Sequence, residues 1–154
     1  MDIFNILKNL DIDYKLYQHK AVFTINDAIP ELIYANGIVV KNLLLKNSHG
    51  TYYLVLNDGE KADLKTIASN FKTGHLSFAT NDELKRKLNL LPGSVSPFGL
   101  INNQEHDVIV LISKSLIDKS LVFHPNTNTK SLLISYSDLE KFLNYTQNKF
   151  YFYS

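Results

Sequence analysis

The chain has 154 residues, enough for one domain with one core, and 45% of them are hydrophobic against 20% charged. Its formal net charge of +1 lacks the basic stripe of a dedicated duplex-DNA binder, while leaving room for weak contact with RNA phosphates. Cysteine is absent, which excludes disulfides, thiolate zinc sites and cysteine nucleophiles.

The opening "MDIFNILKNLDIDY" carries acids and no long apolar run, so neither a signal peptide nor a membrane span is expected, and the chain reads as cytoplasmic. Ile3, Phe4, Ile6, Leu7 and Leu10 recur at helical spacing over Asp2 to Leu10. Tyr14 to His19 alternates like a short strand. Thr24 is placed to cap a helix from Ile25 towards Ala35, awkwardly interrupted by Pro30 and stopped by Asn36-Gly37. The runs "IVVKNLLLK" and "TYYLVLN", separated by "NSHG", read as a hairpin. Asp63 to Phe71 predicts a helix with Leu64, Ile67, Ala68 and Phe71 on one face. Thr80 with Glu83 predicts a capping box for "TNDELKRKL". The segments "DVIVLIS", "SLVFH" and "SLLISY" read as strands, and Ser137 with Glu140 as a capping box for the last helix, "DLEKFLNYT". The tail "KFYFYS" reads as compositional bias. Strands and helices interleave, with a hairpin and short connections, which favours a mixed sheet in a single α/β domain over residues 1–154.

Between the helix expected after Thr80 and the next strand lies "LLPGSVSPFGLIN", Leu90 to Asn102. It has two prolines, two glycines, two serines and no charge. An idle connection is usually short and polar. This one is built to hold a backbone in a fixed shape: Pro92 and Pro97 restrict φ, while Gly93 and Gly99 permit positive φ or close approach.

Side-chain chemistry offers few triads. His19, His49, His75, His106 and His124 form no H-x-H or HExxH pair, so no metal site is expected. His49 and His106 sit in polar turns. Ser94 and Ser96 are candidate nucleophiles with His124 as base. No G-x-S-x-G elbow or acidic orienter accompanies them, and turn-stabilising hydroxyls are the better reading. Lys41 interrupts an apolar strand, where Val39, Leu43 and Leu45 would share its face. It is either a solvent-edge lysine or an ammonium aimed at a pocket or an anion. In "FHPNTNT", His124 precedes a proline and is biased to extended geometry, and Asn126 and Asn128 offer donors and acceptors; an Asx-rich turn is the plainer alternative.

Taken together, Lys41-Asn42 in "GIVVKNLLLK", "TYYLVL", "ADLK", "LSFAT", "LLPGSVSPFGLIN" with its Gly93-x-x-x-Pro97 loop, and "FHPNTNTKSLLISYSDLEKFL" resemble the YbaK/ProX-type aminoacyl-tRNA editing domain from about His19 to about Leu143. The "KN" pair, "PGSVSPFGLIN" and "FHPN" resemble the free-standing prolyl-tRNA editing branch, which clears alanine from tRNA(Pro). The cysteine-clearing branch typically has threonine after the lysine. "QHKAVFTINDA" departs from that branch's "HPPVFT" by having Lys20-Ala21 in place of two prolines, next to a segment that could wall the substrate pocket.

The resemblance implies an α/β fold with a mixed, mostly antiparallel sheet or partial barrel flanked by helices. It implies a deacylase that uses the substrate's own ribose hydroxyl to place water, with no cofactor and no metal. Lys41, Gly93, Ser94 and His124 would be catalytic. Phe23, Thr24, Asn42, Val95, Ser96, Pro97, Phe98, Gly99, Asn126 and Asn128 would contact substrate. Backbone N–H groups of the loop, Ser94's among them, would stabilise the oxyanion. The expected partners are the aminoacylated acceptor end of tRNA(Pro) and, transiently, prolyl-tRNA synthetase, with no DNA and no membrane, the chain being a monomer or weak dimer. Lys46, Lys61, Lys65 and Lys130 are the candidates for phosphate contact. The alternatives are a deacylase for cysteinyl- or seryl-tRNA, and a non-catalytic module binding tRNA or a synthetase.

Overall fold

A computed structural model of the chain describes residues 2–18, 37–59, 63–123 and 130–154. The expected helix capped by Thr24 lies outside the described residues.

Helix α1, Ile3–Asn9, starts where the Asp2 carboxylate accepts from the Phe4 N–H at 3.0 Å, and it buries Ile3, Ile6 and Leu7. Strand β1 is Lys15–Gln18. The run "GIVVKNLLLK" is not one strand. Ile38–Val39 forms β2, Val40 breaks the ladder, and Lys41–Lys46 forms β3. The two halves belong to different sheets. β2 runs parallel to β7 (Ser120–Phe123), whereas β3 pairs antiparallel with β4 (Tyr52–Asn57). Val39 therefore does not share a sheet face with Lys41, contrary to the sequence expectation. The Val40 N–H still donates to the Val122 carbonyl at 3.1 Å, so the crossing residue keeps its backbone partner.

Helix α2, Leu64–Phe71, is capped by Asp63, and β5 is the short pair Ser77–Phe78. Helix α3, Asn81–Leu88, has the expected capping box. Thr80 Oγ1 accepts from the Glu83 N–H at 3.2 Å, and Glu83 Oε1 accepts from the Thr80 N–H at 2.9 Å. Strand β6 is Ile109–Ser113 and β8 is Lys130–Ser135. Helix α4, Tyr136–Thr146, is capped by Ser135, which accepts from the Asp138 N–H at 3.2 Å. The expected Ser137 cap is thus displaced by two residues, because the helix begins directly where β8 ends. The tail is not mere bias: Phe150–Tyr153 forms β9, parallel to β6 at the sheet edge.

One sheet has the order β1-β8-β7-β2, the other β5-β3-β4-β6-β9. Both are mixed, so the architecture is α/β as expected, resolved into two open sheets. The main core lies between them. Leu44, Leu54, Leu56, Val110 and Ile112 of the second sheet meet Leu121, Phe123, Leu132 and Ile134 of the first, with α1, α3 and α4 closing the sides. A second cluster, Leu45, Tyr53, Val55, Ile67, Leu111 and Tyr153, lies on the other face of the five-stranded sheet under α2. Strand β4 is buried on both faces along its whole length, which suits its central position. No helix among the described residues is long and apolar enough to cross a membrane.

The topology gathers three chain ends. β1 and β7 both pair antiparallel with β8, and β2 is parallel to β7, so the C-terminal ends of β1, β2 and β7 share one end of the four-stranded sheet. Lys41 follows β2 at that end, and β7 finishes there at Phe123.

Candidate active site

The Leu90–Asn102 segment is rigid for identifiable reasons. The Ser94 N–H donates to the Leu91 carbonyl at 3.1 Å across Pro92 and Gly93, and Gly93 has φ +84°. Proline at the second position and a left-handed glycine at the third make this a type II turn, a conformation that a side chain at Gly93 would strain. Ser96 Oγ accepts from the Phe98 N–H at 3.2 Å and caps a 3-10 helix, Pro97–Asn102, with Pro97 in its first turn. The Gly99 N–H donates to the Ser96 carbonyl at 3.2 Å. Gly99 itself has ordinary φ and is needed for closeness: a Cβ there would lie 2.6 Å from Leu90 Cδ1 and 3.1 Å from Leu88 Cβ. Of the two glycines, one thus supplies positive φ and the other close approach.

Phe98 is wholly buried, edge-on to Phe123 at 5.7 Å and to Phe142 at 5.0 Å between ring centroids. Its side chain is an anchor and not a surface available to a ligand, which corrects its expected part as a substrate contact. The anchor ties the loop to the last described residue of β7, and hence to the sheet end where Lys41 begins β3. Pro97 is likewise buried, and Val95 packs in part against the main core, while Gly93 and Ser94 are half-buried.

The backbone donors need one correction. The Ser94 N–H is spent inside the turn. The N–H groups of Gly93 and Val95 have no protein acceptor among the described residues. Ser96 Oγ, fully buried and serving as a cap, is a turn-stabilising hydroxyl, as the sequence suggested.

Lys41 is exposed and makes no ion pair or hydrogen bond among the described residues. Asn42 is half-buried. Its Nδ2 donates to the Val40 carbonyl at 3.1 Å, which fixes the amide's orientation, and its Oδ1 is buried without a partner among the described residues. Adjacent strand residues point to opposite faces, so Lys41 lies on the side of Leu43 and Leu45, and Asn42 on the side of Leu44. Only at the strand's end, beside the break at Val40, can one ligand meet both. Phe23, Thr24, His124, Asn126 and Asn128 lie outside the described residues.

Two features escaped the sequence. Lys46 Nζ sits 2.7 Å from Glu83 Oε1, the Tyr52 hydroxyl donates to Glu83 Oε2, and Arg86 Nη2 donates to the Tyr52 oxygen at 2.8 Å. The Lys46 hydrogen bond foremost, then those from the Thr80 N–H and Tyr52, hold the Glu83 carboxyl down at about 2. Lys46 is therefore occupied and not a ready phosphate contact. Lys130 Nζ lies 5.8 Å from the Phe4 ring centroid, Lys61 is outside the described residues, and Lys65 is exposed. The second feature is the buried Asn57 at the end of β4, directly opposite Lys41. No group of three or more His, Cys, Asp or Glu side chains arranged to hold a metal occurs among the described residues. A hollow of about 510 Å³ lined by Phe4, Lys8, Ile12 and Tyr14 lies beside α1 and shares no residue with the loop.

A turn-held backbone without a convincing side-chain nucleophile is the layout expected of a site that works by orientation and oxyanion contact. The chain belongs to the aminoacyl-tRNA editing domain family, whose pattern it matches over residues 19–142. It is 40% identical over 147 residues to the prolyl-tRNA editing protein ProX of Acetoanaerobium sticklandii, covering 94% of this chain and 90% of that one. It is 28% identical over 151 residues to the prolyl-tRNA synthetase associated domain-containing protein 1 of Danio rerio, covering 96% and 82%. Its fold matches the crystal structure of a candidate trans-editing enzyme for prolyl tRNA synthetase with TM-score 0.71 at 17% identity, covering 97% and 92%.

Proposed function

We infer that this chain hydrolyses the ester of alanyl-tRNA(Pro), acting on tRNA already released from the synthetase. The observation that carries the reading is the Leu91–Ser94 turn, which leaves the Gly93 and Val95 N–H groups without acceptors among the described residues while the Ser96 hydroxyl serves as a cap. The ester between an amino acid and a ribose hydroxyl is intrinsically labile, so orienting water and stabilising the oxyanion suffices. Water attacks the ester carbonyl carbon, assisted by the neighbouring ribose hydroxyl. The bond to the ribose oxygen breaks, and the proton passes to that oxygen. The Gly93 and Val95 N–H groups donate to the carbonyl oxygen as negative charge develops on it. Lys41 holds the acceptor end through a phosphate or carbonyl oxygen. Asn42 Oδ1, a fixed acceptor without a partner, suits the α-ammonium of the amino acid. The 40% identity to a prolyl-tRNA editing protein supports tRNA(Pro) as the carrier. Alanine follows from the branch resemblance: a small pocket excludes proline by size, though it discriminates poorly against glycine.

The test is a deacylation panel of tRNA(Pro) charged with alanine, cysteine, serine or proline. Alanyl ester should be cleaved fastest and prolyl ester spared. Preference for cysteine or serine would move the chain to another editing specificity. Binding without turnover of any ester would make it a docking module. Binding should fall with salt at a shallow slope, because the net charge is only +1.

A further inference from the structure

The register of the β3–β4 hairpin sets Lys41 directly across from Asn57 on the same face of the five-stranded sheet. Asn57 is only 5% exposed. Its Nδ2 donates to the Tyr153 hydroxyl at 2.9 Å, and that hydroxyl lies 3.4 Å from the Leu56 carbonyl, the direction in which its proton points. In this arrangement Tyr153 accepts from the Asn57 amide nitrogen and faces the Leu56 carbonyl with its own proton. The remaining atom, Asn57 Oδ1, is a buried acceptor with no hydrogen-bond partner among the described residues. Buried acceptors in folded proteins are almost always paired, so one left over calls for an explanation. Directly opposite strand residues have Cβ atoms roughly 5 Å apart, well within the reach of a lysine side chain.

We propose that Asn57 is the positioning residue for Lys41: the Lys41 side chain, which has no hydrogen bond among the described residues, turns across the strand pair so that Asn57 Oδ1 accepts from its ammonium and holds that charge at the end of β3. The amide suits the task because it is neutral. It restrains the ammonium without neutralising it, leaving the other two N–H donors and the full charge for an anionic or carbonyl oxygen of the substrate. A carboxylate in its place would form an ion pair and compete with the substrate. The buried Tyr153, two strands away, makes the arrangement rigid. Asp58, the next residue, has a partner of its own.

The proposal deepens the deacylase reading, which assigns Lys41 its task, yet its test separates the two. Side-chain 15N NMR of the full chain gives sharp ammonium signals for lysines held in hydrogen bonds, and Lys41→Ala identifies the one from Lys41. That signal should be present in wild type, lost in Asn57→Leu and retained in Asn57→Asp, which is nearly isosteric and guards against misfolding of the leucine variant. In alanyl-tRNA(Pro) turnover, Asn57→Leu should lower kcat by roughly tenfold or more, the effect of losing a hydrogen bond to a charged group. In the Lys41→Ala background the same change should cost nothing further. Asn57→Asp should also be slow, through its ion pair. A Lys41 signal indifferent to both substitutions, or equal losses in both Lys41 backgrounds, overturns the proposal. Failure of wild type to deacylate any ester sinks the functional reading, while the NMR comparison still decides the contact.

Discussion

Phe98 presents its ring edge-on to Phe123, with centroids 5.7 Å apart and planes at 82°, and through that contact the Leu90–Asn102 loop is fastened to the end of β7. Both side chains are almost wholly buried. Phe98→Ala should cost about 3–5 kcal/mol by denaturant unfolding, as for other large aromatic truncations in a core. Phe98→Leu should cost less and keep the fold. At temperatures where Phe98→Leu remains folded, deacylation should still drop, because the turn that precedes the anchor loosens. Unimpaired turnover in Phe98→Leu would show that the anchor does not set the loop's geometry.

Gly93 and the two serines give a mechanistic comparison. Gly93→Ala places a side chain at φ +84° and should lose about 1 kcal/mol of stability together with most activity. Ser94→Ala keeps the N–H that closes the turn and should stay within about tenfold of wild-type rate, a neutral hydrogen bond being worth roughly 0.5–1.5 kcal/mol. Ser96→Ala removes a cap and should lower stability by about 1 kcal/mol while also staying within about tenfold in rate. A correctly folded but inactive Ser94→Ala or Ser96→Ala would establish a serine nucleophile instead.

Gly99 tests packing separately from conformation. A methyl group there falls 2.6 Å from Leu90 Cδ1 and 3.1 Å from Leu88 Cβ. Leu90 can rotate, but the Leu88 Cβ moves only with the backbone of α3. Gly99→Ala should therefore destabilise by about 1–3 kcal/mol, read as a lower denaturation midpoint with an unchanged denaturant slope. Truncating the obstruction, as in Gly99→Ala with Leu90→Ala, should be less damaging than the sum of the single changes; strict additivity would argue against the clash.

Lys41 is exposed, so its removal should leave the fold intact. Deacylation should nevertheless fall more than tenfold in Lys41→Ala. Lys41→Arg should also fail, since a planar fork does not replace a compact ammonium. More than about a tenth of wild-type rate in Lys41→Ala would remove the residue from the mechanism.

Glu83 should govern part of the acid response. Its carboxyl is held at about 2, below its ordinary 4.5, chiefly by the Lys46 hydrogen bond. A depressed carboxyl contributes stability that is complete above the unfolded value, near 4.5, and that disappears as the pH falls to about 2. In Glu83→Gln the melting temperature should be lower near neutrality. Its decline between about pH 4.5 and 2 should be shallower than in wild type. Parallel acid limbs for the two proteins would show that the carboxylate is not what Lys46 and Tyr52 stabilise.

Local chemistry was enough to foresee much of this protein. The Thr80–Glu83 capping box, the β3–β4 hairpin across "NSHG" and the Pro92-Gly93 turn are decided by neighbours in sequence, and each lies where the residues place it. The resemblance in "KN", Gly93-x-x-x-Pro97 and "FHPN" identified the family without coordinates. What local sequence could not decide were the choices made by distant partners. "IVVKNLLL" is apolar apart from Lys41 and Asn42 and reads as one strand, so nothing in it marks Val40 as the crossing between two sheets; that break exists because Val39 pairs with Val122 while Lys41 pairs with Asn57. "KFYFYS" is a strand only because β6 offers it an edge. Ser135 caps α4 in place of Ser137 because β8 ends there, a boundary set by its pairing with β7. The buried Asn57 amide is oriented by Tyr153, 96 residues away, and stands beside Lys41 only through the hairpin register. Turns and caps are settled by contacts a few residues apart, whereas sheet membership, edge pairing and the surroundings of Lys41 depend on which surfaces meet once the chain has closed on itself.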